Sequence, residues 1–312
     1  MLVSIGTNCY NVKQNIKILK INKFIIAGRF TLATYAYEAE ELAEYLITKI
    51  SELMPHSFIA KKQSEFLKMS KQNLKPNEFV VISDFSENFS FVVQNEIQGW
   101  HWANSQCTIH PFSIYSKNEL DNIQHDSLII ISESLKHNFI AVHLFQRKLL
   151  QYLKSKFNRI NKIVFFSDGA GGQYKNRNNF FNLCEMKNSE GFDVEWHFFA
   201  TSHGKGPCDA VGGTLKRLAT KASLQRPYSN QIITAHDLYE WAKSSNSTMN
   251  FEYCSSEEYE SHSNYIDEKF KRLKLKVVPG TQNYHCFIPI DDNKILVKTH
   301  SFSNTDKIFK LQ

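Results

Sequence analysis

The sequence predicts an α/β protein, a mixed sheet with helices on both faces. Three observations carry this. Short apolar, β-branched runs (FVVIS at 79–83, IVFF at 163–166) have the length and composition of buried strands. From about residue 139 onward, strands alternate with amphipathic helices, the pattern of parallel strands joined by crossovers. Before that, three strands follow one another without a helix, which suits an antiparallel meander.

Taken in order, residues 1–36 show no clean period. Tyr37 to Met54 reads as a helix, with Leu42, Tyr45, Leu46, Lys49 and Leu53 at three-and-four spacing, and Pro55 is expected to stop it. Ser57 to Leu74 reads as a second helix. Phe79–Ser83 is the first buried strand and runs into Asp84. A polar stretch carries Trp100, His101 and Trp102. Thr108–Tyr115 alternates as a strand, and Leu128–Ile131 is another short apolar run. Phe139–Phe157 is an amphipathic helix with Val142, Phe145, Leu149, Tyr152 and Leu153 on its inner stripe. Ile163–Phe166 runs into Asp168, and Gly169, Gly171 and Gly172 turn the chain into a helix from about Gln173. Val194–Phe199 is the fifth strand. A tight loop, Ser202 to Asp209, leads into a helix reaching Leu224. Beyond Pro227 the sequence predicts helices over 235–243 and 257–273. Strands are expected over 275–278, 285–290 and 295–299, with Asp291-Asp292-Asn293 turning the last pair. The expected organisation is a mainly helical flank (1–76), a core (77–227) and a small α+β unit (228–312).

Composition narrows the function classes. The chain has 312 residues, 42% hydrophobic and 13% aromatic, and a net charge of +6. A core of globular size is affordable, and no apolar run approaches the roughly 20 residues that span a bilayer. The polar interruptions at Asn8, Asn11, Lys13 and Gln14 do not read as a signal peptide. Six dispersed cysteines without a CxxC pair exclude a zinc ribbon and a dense disulfide scaffold, and read as reduced thiols of an intracellular protein. Charge is uneven. Lys136 to Lys162 holds seven basic residues and no acidic one; Ala210 to Ala235 holds Lys216, Arg217, Lys221 and Arg226 and again no acid. Such runs are the solvated faces of helices or the electrostatic footprint of a nucleic acid.

Three carboxylates bear on chemistry. Asp84 ends the first core strand, Asp168 ends the fourth, and Asp209 opens the helix after the fifth. Each alone also reads as a cap or turn residue. In a mixed sheet of this order the first and fourth strands can be neighbours, which would place Asp84 and Asp168 together. Like charges so placed call for a cation between them, and hard Mg²⁺ or Mn²⁺ suits carboxylate oxygens. Two such ions can clamp an in-line phosphoryl displacement. Glu185, Asp193 and Glu195 compete with Asp209 for the third place. Glu87 is a possible further acid or a surface residue.

The segments ISDFSENFSFVVQNEIQGWHW (82–102), FFSDGAGGQYKNRNNFFNLC (165–184) and WHFFATSHGKGPCDAVGGTLKRLA (196–219) resemble a group of transposon-derived animal proteins similar to cut-and-paste transposases of the DDE/DDD type. The resemblance covers roughly residues 55–300. It implies an RNase H-like core with a five-stranded mixed sheet, and Asp84, Asp168 and Asp209 as catalytic, metal-binding acids for two Mg²⁺ or Mn²⁺ ions. It further implies DNA cleavage and strand transfer, transposon ends or target DNA as partners, a nuclear location, and a homodimer as one assembly to consider. Gln173, Lys175, Asn176, His203, Lys205, Lys216, Arg217 and Lys221 are the candidate nucleic-acid contacts. Trp100 and Trp102 read either as base-stacking or as core residues. Such transposases carry a separate module that reads the element's ends. The 83 residues before Asp84 show neither zinc spacing nor a clear helix-turn-helix, so either that module is missing, or the chain is a fragment or an odd gene model, or recognition is built into the flanks. Two other readings share the same residues: a non-catalytic nucleic-acid-binding protein that kept the fold, and a nuclease acting on RNA or hybrids.

Overall fold

The computed structural model describes residues 17–25, 29–37, 39–92, 105–118, 120–201, 206–227, 230–245 and 248–312. Packing divides the chain into two compact units, residues 1–58 and 59–312. In the first, β1 (Lys17–Ile25) and β2 (Arg29–Tyr37) form an antiparallel hairpin, in a region whose sequence shows no clear period. One helix, α1 (Ala39–Gln72), replaces the two expected helices and runs through Pro55. Proline removes one N–H, here the donor to the Ser51 carbonyl. Residues 51–55 are all exposed, so water can serve that carbonyl and the helix continues.

The second unit is built on a ten-stranded sheet where five strands were expected. Its middle is β6 (Ile123–Ser132), β5 (Gln106–Lys117), β3 (Glu78–Ser83), β7 (Lys162–Ser167) and β8 (Asp193–Phe198), side by side in that order. The first three pair antiparallel; β3, β7 and β8 run parallel. The short β4 (Phe89–Ser90) pairs with β5. Strands from beyond residue 227 extend both edges of this sheet. β9 (Asn250–Cys254) joins β6 in parallel, and β10 (Cys286–Pro289), β11 (Lys294–Lys298) and β12 (Asp306–Lys310) continue antiparallel from β8. The strand expected at 275–278 does not form. There the Lys276 N–H donates to the Leu311 carbonyl in an otherwise irregular stretch.

Strand alternation sends side chains to two cores. On one face Phe79, Val81, Phe112, Leu128, Ile130, Ile163, Phe165 and Trp196 are buried under α2 (Phe139–Lys156), α3 (Arg177–Glu190) and α6 (Ser256–Arg272). On the other, Val80, Ile82, Val164 and Phe166 meet Phe66 and Leu67 of α1. Further along that face Ile109, Ile129 and Ile131 meet α4 (Pro207–Gln225) and α5 (Ala235–Ser245). At roughly 25 cal/mol per Å² of apolar surface, these two layers supply the dominant favourable term in folding. Among the described residues no helix is long and apolar enough to cross a membrane, and the five described cysteines are buried and free.

Candidate functional site

Two parallel strands set the geometry. Ile82 of β3 stands opposite Phe166 of β7, so two residues further on, Asp84 comes opposite Asp168. The apolar strands stop there because both chains leave the sheet, and both aspartates are part-buried. Asp168 Oδ1 accepts from the Ala170 N–H at 3.2 Å, which fixes the turn after β7. Asp84 carries the clearest electrostatic signature. Burial first, then the charges of Asp168 and Asp209, push its carboxyl up from 3.8 to about 7. Burial also raises Asp168.

Asp209 is brought to this end of the sheet by α4. Pro207 sits in the first turn of α4, where its missing N–H costs nothing. Cys208 Sγ contacts the Ile82 carbonyl at 3.3 Å, so the first turn of α4 rests on the end of β3. Gly212 makes the same approach: a Cβ there would come 2.2 Å from Ser86 Oγ, in the loop that follows Asp84, and that hydroxyl would have to turn away. Asp209 itself is exposed, and its Oδ2 accepts from the Gly206 N–H at 3.0 Å as the reciprocal half of a helix cap. Its charge reaches Asp84, but one of its oxygens is engaged. Among the described residues, no three His, Cys, Asp or Glu side chains lie close enough together to hold one ion. Asp84 and Asp168 are thus a facing pair of acids, while Asp209 acts on Asp84 through its charge and is not brought with them around one point. A dication bound by the pair would offset the like-charge repulsion that Asp84 records.

The competing acids are placed elsewhere. Glu185 pairs with Lys269 at 2.6 Å and Asp193 with Lys187 at 3.3 Å. Glu195 is opposed by burial, but the hydrogen bond from His197 and Lys162 at 2.6 Å hold its carboxyl at about 2. Glu87 is exposed.

The expected nucleic-acid contacts divide. Lys175 is turned inward: it is only 4% exposed, and its Nζ donates to the Gln282 carbonyl at 3.1 Å. Burial lowers its ammonium to about 8. Asn176 caps α3, accepting from the Asn179 N–H and donating to the Gly171 carbonyl. Gln173 offers its own carbonyl to Asn179. Lys216 donates to the Glu87 carbonyl. Basic residues in a polar stretch read as exposed, yet these are used to build the loops around the acids. Arg217 and Lys221 of α4 do face solvent. His203 and Lys205, with Trp100, His101 and Trp102, lie outside the described residues.

An aromatic layer behind the acids is not evident from the motifs. Tyr174 and His110 are fully buried and joined, Tyr174 Oη to His110 Nε2, at 3.0 Å. Phe85 lies edge-on to His110 and stacked on His137 at 4.3 Å. Burial and the neighbouring charges of Asp84 and Asp168 hold the Tyr174 hydroxyl in its neutral form. The available signal was His110 itself, a polar side chain in the apolar strand TIHPF, on the same face as Phe112.

A family model for a domain of unknown function, DUF8701, matches residues 63–301. The chain belongs to that family. The match spans the sheet from the second half of α1 to the loop after β11, so the DUF8701 domain contains all three aspartates. No curated protein matches the chain.

Proposed function

We propose that this DUF8701 domain is a metal-dependent enzyme that cleaves and joins DNA strands, with an RNase H-like core of the transposase type. The observation that carries the reading is the facing pair Asp84 and Asp168, at the ends of adjacent parallel strands, with the Asp84 carboxyl displaced to about 7. A carboxylate kept partly protonated by burial first and by a second carboxylate next to it is an arrangement that a bound cation would relieve. The order β6-β5-β3-β7-β8, with an antiparallel pair on one side of β3 and two parallel strands on the other, supports the RNase H-like assignment.

Within this reading Asp84 and Asp168 would hold the metal, and Asp209 would join them only once its carboxylate turns away from the Gly206 N–H. Two bound Mg²⁺ or Mn²⁺ ions would supply the positive charge that favours an ionised water or 3′-hydroxyl and a departing oxyanion. The chain's own contribution is placement. The Ala170 N–H orients Asp168, and Cys208 and Gly212 bring α4 close to the end of β3. Gly172 has open space around it, which leaves room for a phosphate backbone. Arg217 and Lys221, on the exposed side of the same helix, are positioned to contact phosphates beyond the cut. DNA as substrate makes the nucleus the compartment of action.

The test is a nicking assay on supercoiled DNA with Mg²⁺ or Mn²⁺, alongside RNA and hybrid substrates. Cleavage of DNA that disappears in Asp84→Asn and in Asp168→Asn is expected; equal cutting by parent and both variants would sink the assignment. One observation favours a second reading, a DNA-binding domain that no longer cuts: the Asp209 oxygen already held by Gly206. Salt-sensitive DNA binding without cleavage under any divalent ion is the outcome that selects it.

A further inference from the structure

The basic run from Lys136 to Lys162 turns out to be mostly neutralised. Lys136, Lys148, Lys154, Lys156 and Lys162 pair with Glu260, Glu258, Glu190, Asp126 and Glu195. Arg147 is exposed and has no acidic partner among the described residues. It borders a cavity of about 510 Å³ between α2 and α6, lined also by Lys148, Gln151, Glu258, His262 and Tyr265. None of the three aspartates lines it.

A buried hydrogen bond joins His262 to the neighbouring helix. His143 Nδ1 lies 2.8 Å from His262 Nε2, so one of the two neutral rings donates to the other. His262 Nδ1 has no partner among the described residues. Both rings are buried, at 7% and 6% exposure. Burial, together with the charges of Arg147 and Lys269, keeps His262 neutral by lowering it to about 4. Lys148 is held against Glu258 at 2.8 Å, so Arg147 supplies the uncompensated positive charge. The Tyr265 side chain, 54% exposed, provides an aromatic wall.

An uncompensated cation, a ring nitrogen that can pair with a hydroxyl in either tautomer, and an exposed ring in a volume of this size make a specific combination. We propose that this cavity binds a nucleoside phosphate, with Arg147 on the phosphate, His262 Nδ1 hydrogen-bonded to a sugar hydroxyl, and Tyr265 against the base. The ligand is a free nucleotide or the phosphorylated end of a strand, which present the same groups. The site does not depend on the catalytic reading of Asp84 and Asp168.

Isothermal titration of the full chain without divalent metal tests it, with AMP, 2′,3′-dideoxy-AMP, inorganic phosphate and a 5′-phosphorylated trinucleotide as probes. AMP is expected to bind saturably, and Arg147→Ala, a change at an exposed position with no protein partner, to weaken it at least tenfold. The dideoxy analogue is expected to bind severalfold more weakly than AMP to the parent, and equally with AMP to His262→Phe. Binding of AMP alone identifies the free nucleotide; comparable binding of the trinucleotide identifies the strand end. No saturable AMP binding, unchanged affinity in Arg147→Ala, or phosphate binding as tightly as AMP would each overturn the assignment.

Discussion

Asp84 and Asp168 stand opposite one another past the ends of two parallel strands, and the second carboxylate helps hold the proton of the first up to about pH 7. Burial is the larger cause, and the Asp209 charge adds to it. The fold thus carries an unfavourable charge arrangement at one end of its sheet. Structural acids in this chain are treated differently: Glu195, equally deep, is paired and held near 2.

That arrangement makes stability depend on pH in a defined direction. Asp84 has a folded-state value above its unfolded one. Its contribution is therefore complete below about 3.8 and is lost as pH rises through about 7. Asp84→Asn cannot ionise and escapes the loss. Urea unfolding at pH 8.5 should find the variant more stable than the parent by a few kcal/mol, at roughly 1.4 kcal/mol per displaced unit. The gap should close near pH 4. Millimolar Mg²⁺ should raise the parent's Tm at pH 8.5 and leave the variant's where it was. Parallel stability curves for the two proteins would refute the account.

Gln63 is the second test of how the site end is held. It is fully buried in α1; its Nε2 donates to the carbonyls of Phe198 and His285, and its Oε1 accepts from the Ser301 N–H and hydroxyl. One side chain thus joins β8 to the approaches of β10 and the loop after β11. Gln63→Leu keeps the volume and strands the Phe198 carbonyl and the Ser301 N–H, while the His285 carbonyl keeps the Phe198 N–H and the Ser301 hydroxyl keeps His197. A loss of about 3 kcal/mol is therefore expected in urea unfolding. A loss below about 1 kcal/mol would mean that water replaces the amide.

His110 and Tyr174 allow a cleaner experiment, because each is the other's partner. Burial keeps His110 neutral, at about 3, so the pair is uncharged across the working range. His110 Nδ1 already lacks a partner. Tyr174→Phe would orphan Nε2 as well and should cost about 1–2 kcal/mol. His110→Phe in that background removes both buried nitrogens and should restore part of the loss. A double-mutant cycle with coupling near zero would show that the 3.0 Å contact contributes nothing.

How much of this was readable beforehand follows from how local each signal is. FVVIS and IVFF announce buried strands by composition, and an acid at each end is visible in the string. The adjacency of the two strands follows from their order. Partners far apart in sequence are not visible. The pairs Lys148–Glu258 and Lys162–Glu195 turn an apparently basic surface into a neutral one, and only the fold brings them together. Lys175 misled for a related reason, since a lysine in a polar turn reads as exposed until the Gln282 carbonyl is placed over it. The edge strands β9 and β12 carry Glu252, Lys307 and Lys310 among their apolar residues. Such charges protect an edge from mispairing and hide its periodicity. Pro55 is the reverse case: a local rule that the exposed first half of α1 overrides.

The same cancellation of charge makes α4 the most informative element for nucleic-acid binding. Five of the seven basic residues between Lys136 and Lys162 are neutralised, while Arg217 and Lys221 on α4 lack acidic partners among the described residues and lie one turn apart on its exposed side. If DNA approaches the acids along this helix, each of the two contributes about one released counterion. Anisotropy titrations of labelled duplex between 50 and 200 mM salt should then show the slope of log affinity against log salt reduced by about 2 in Arg217→Ala/Lys221→Ala. Lys154→Ala, which removes a charge already paired with Glu190, should leave the slope unchanged. The reverse result would move the DNA path from α4 to α2 and separate it from Asp84 and Asp168.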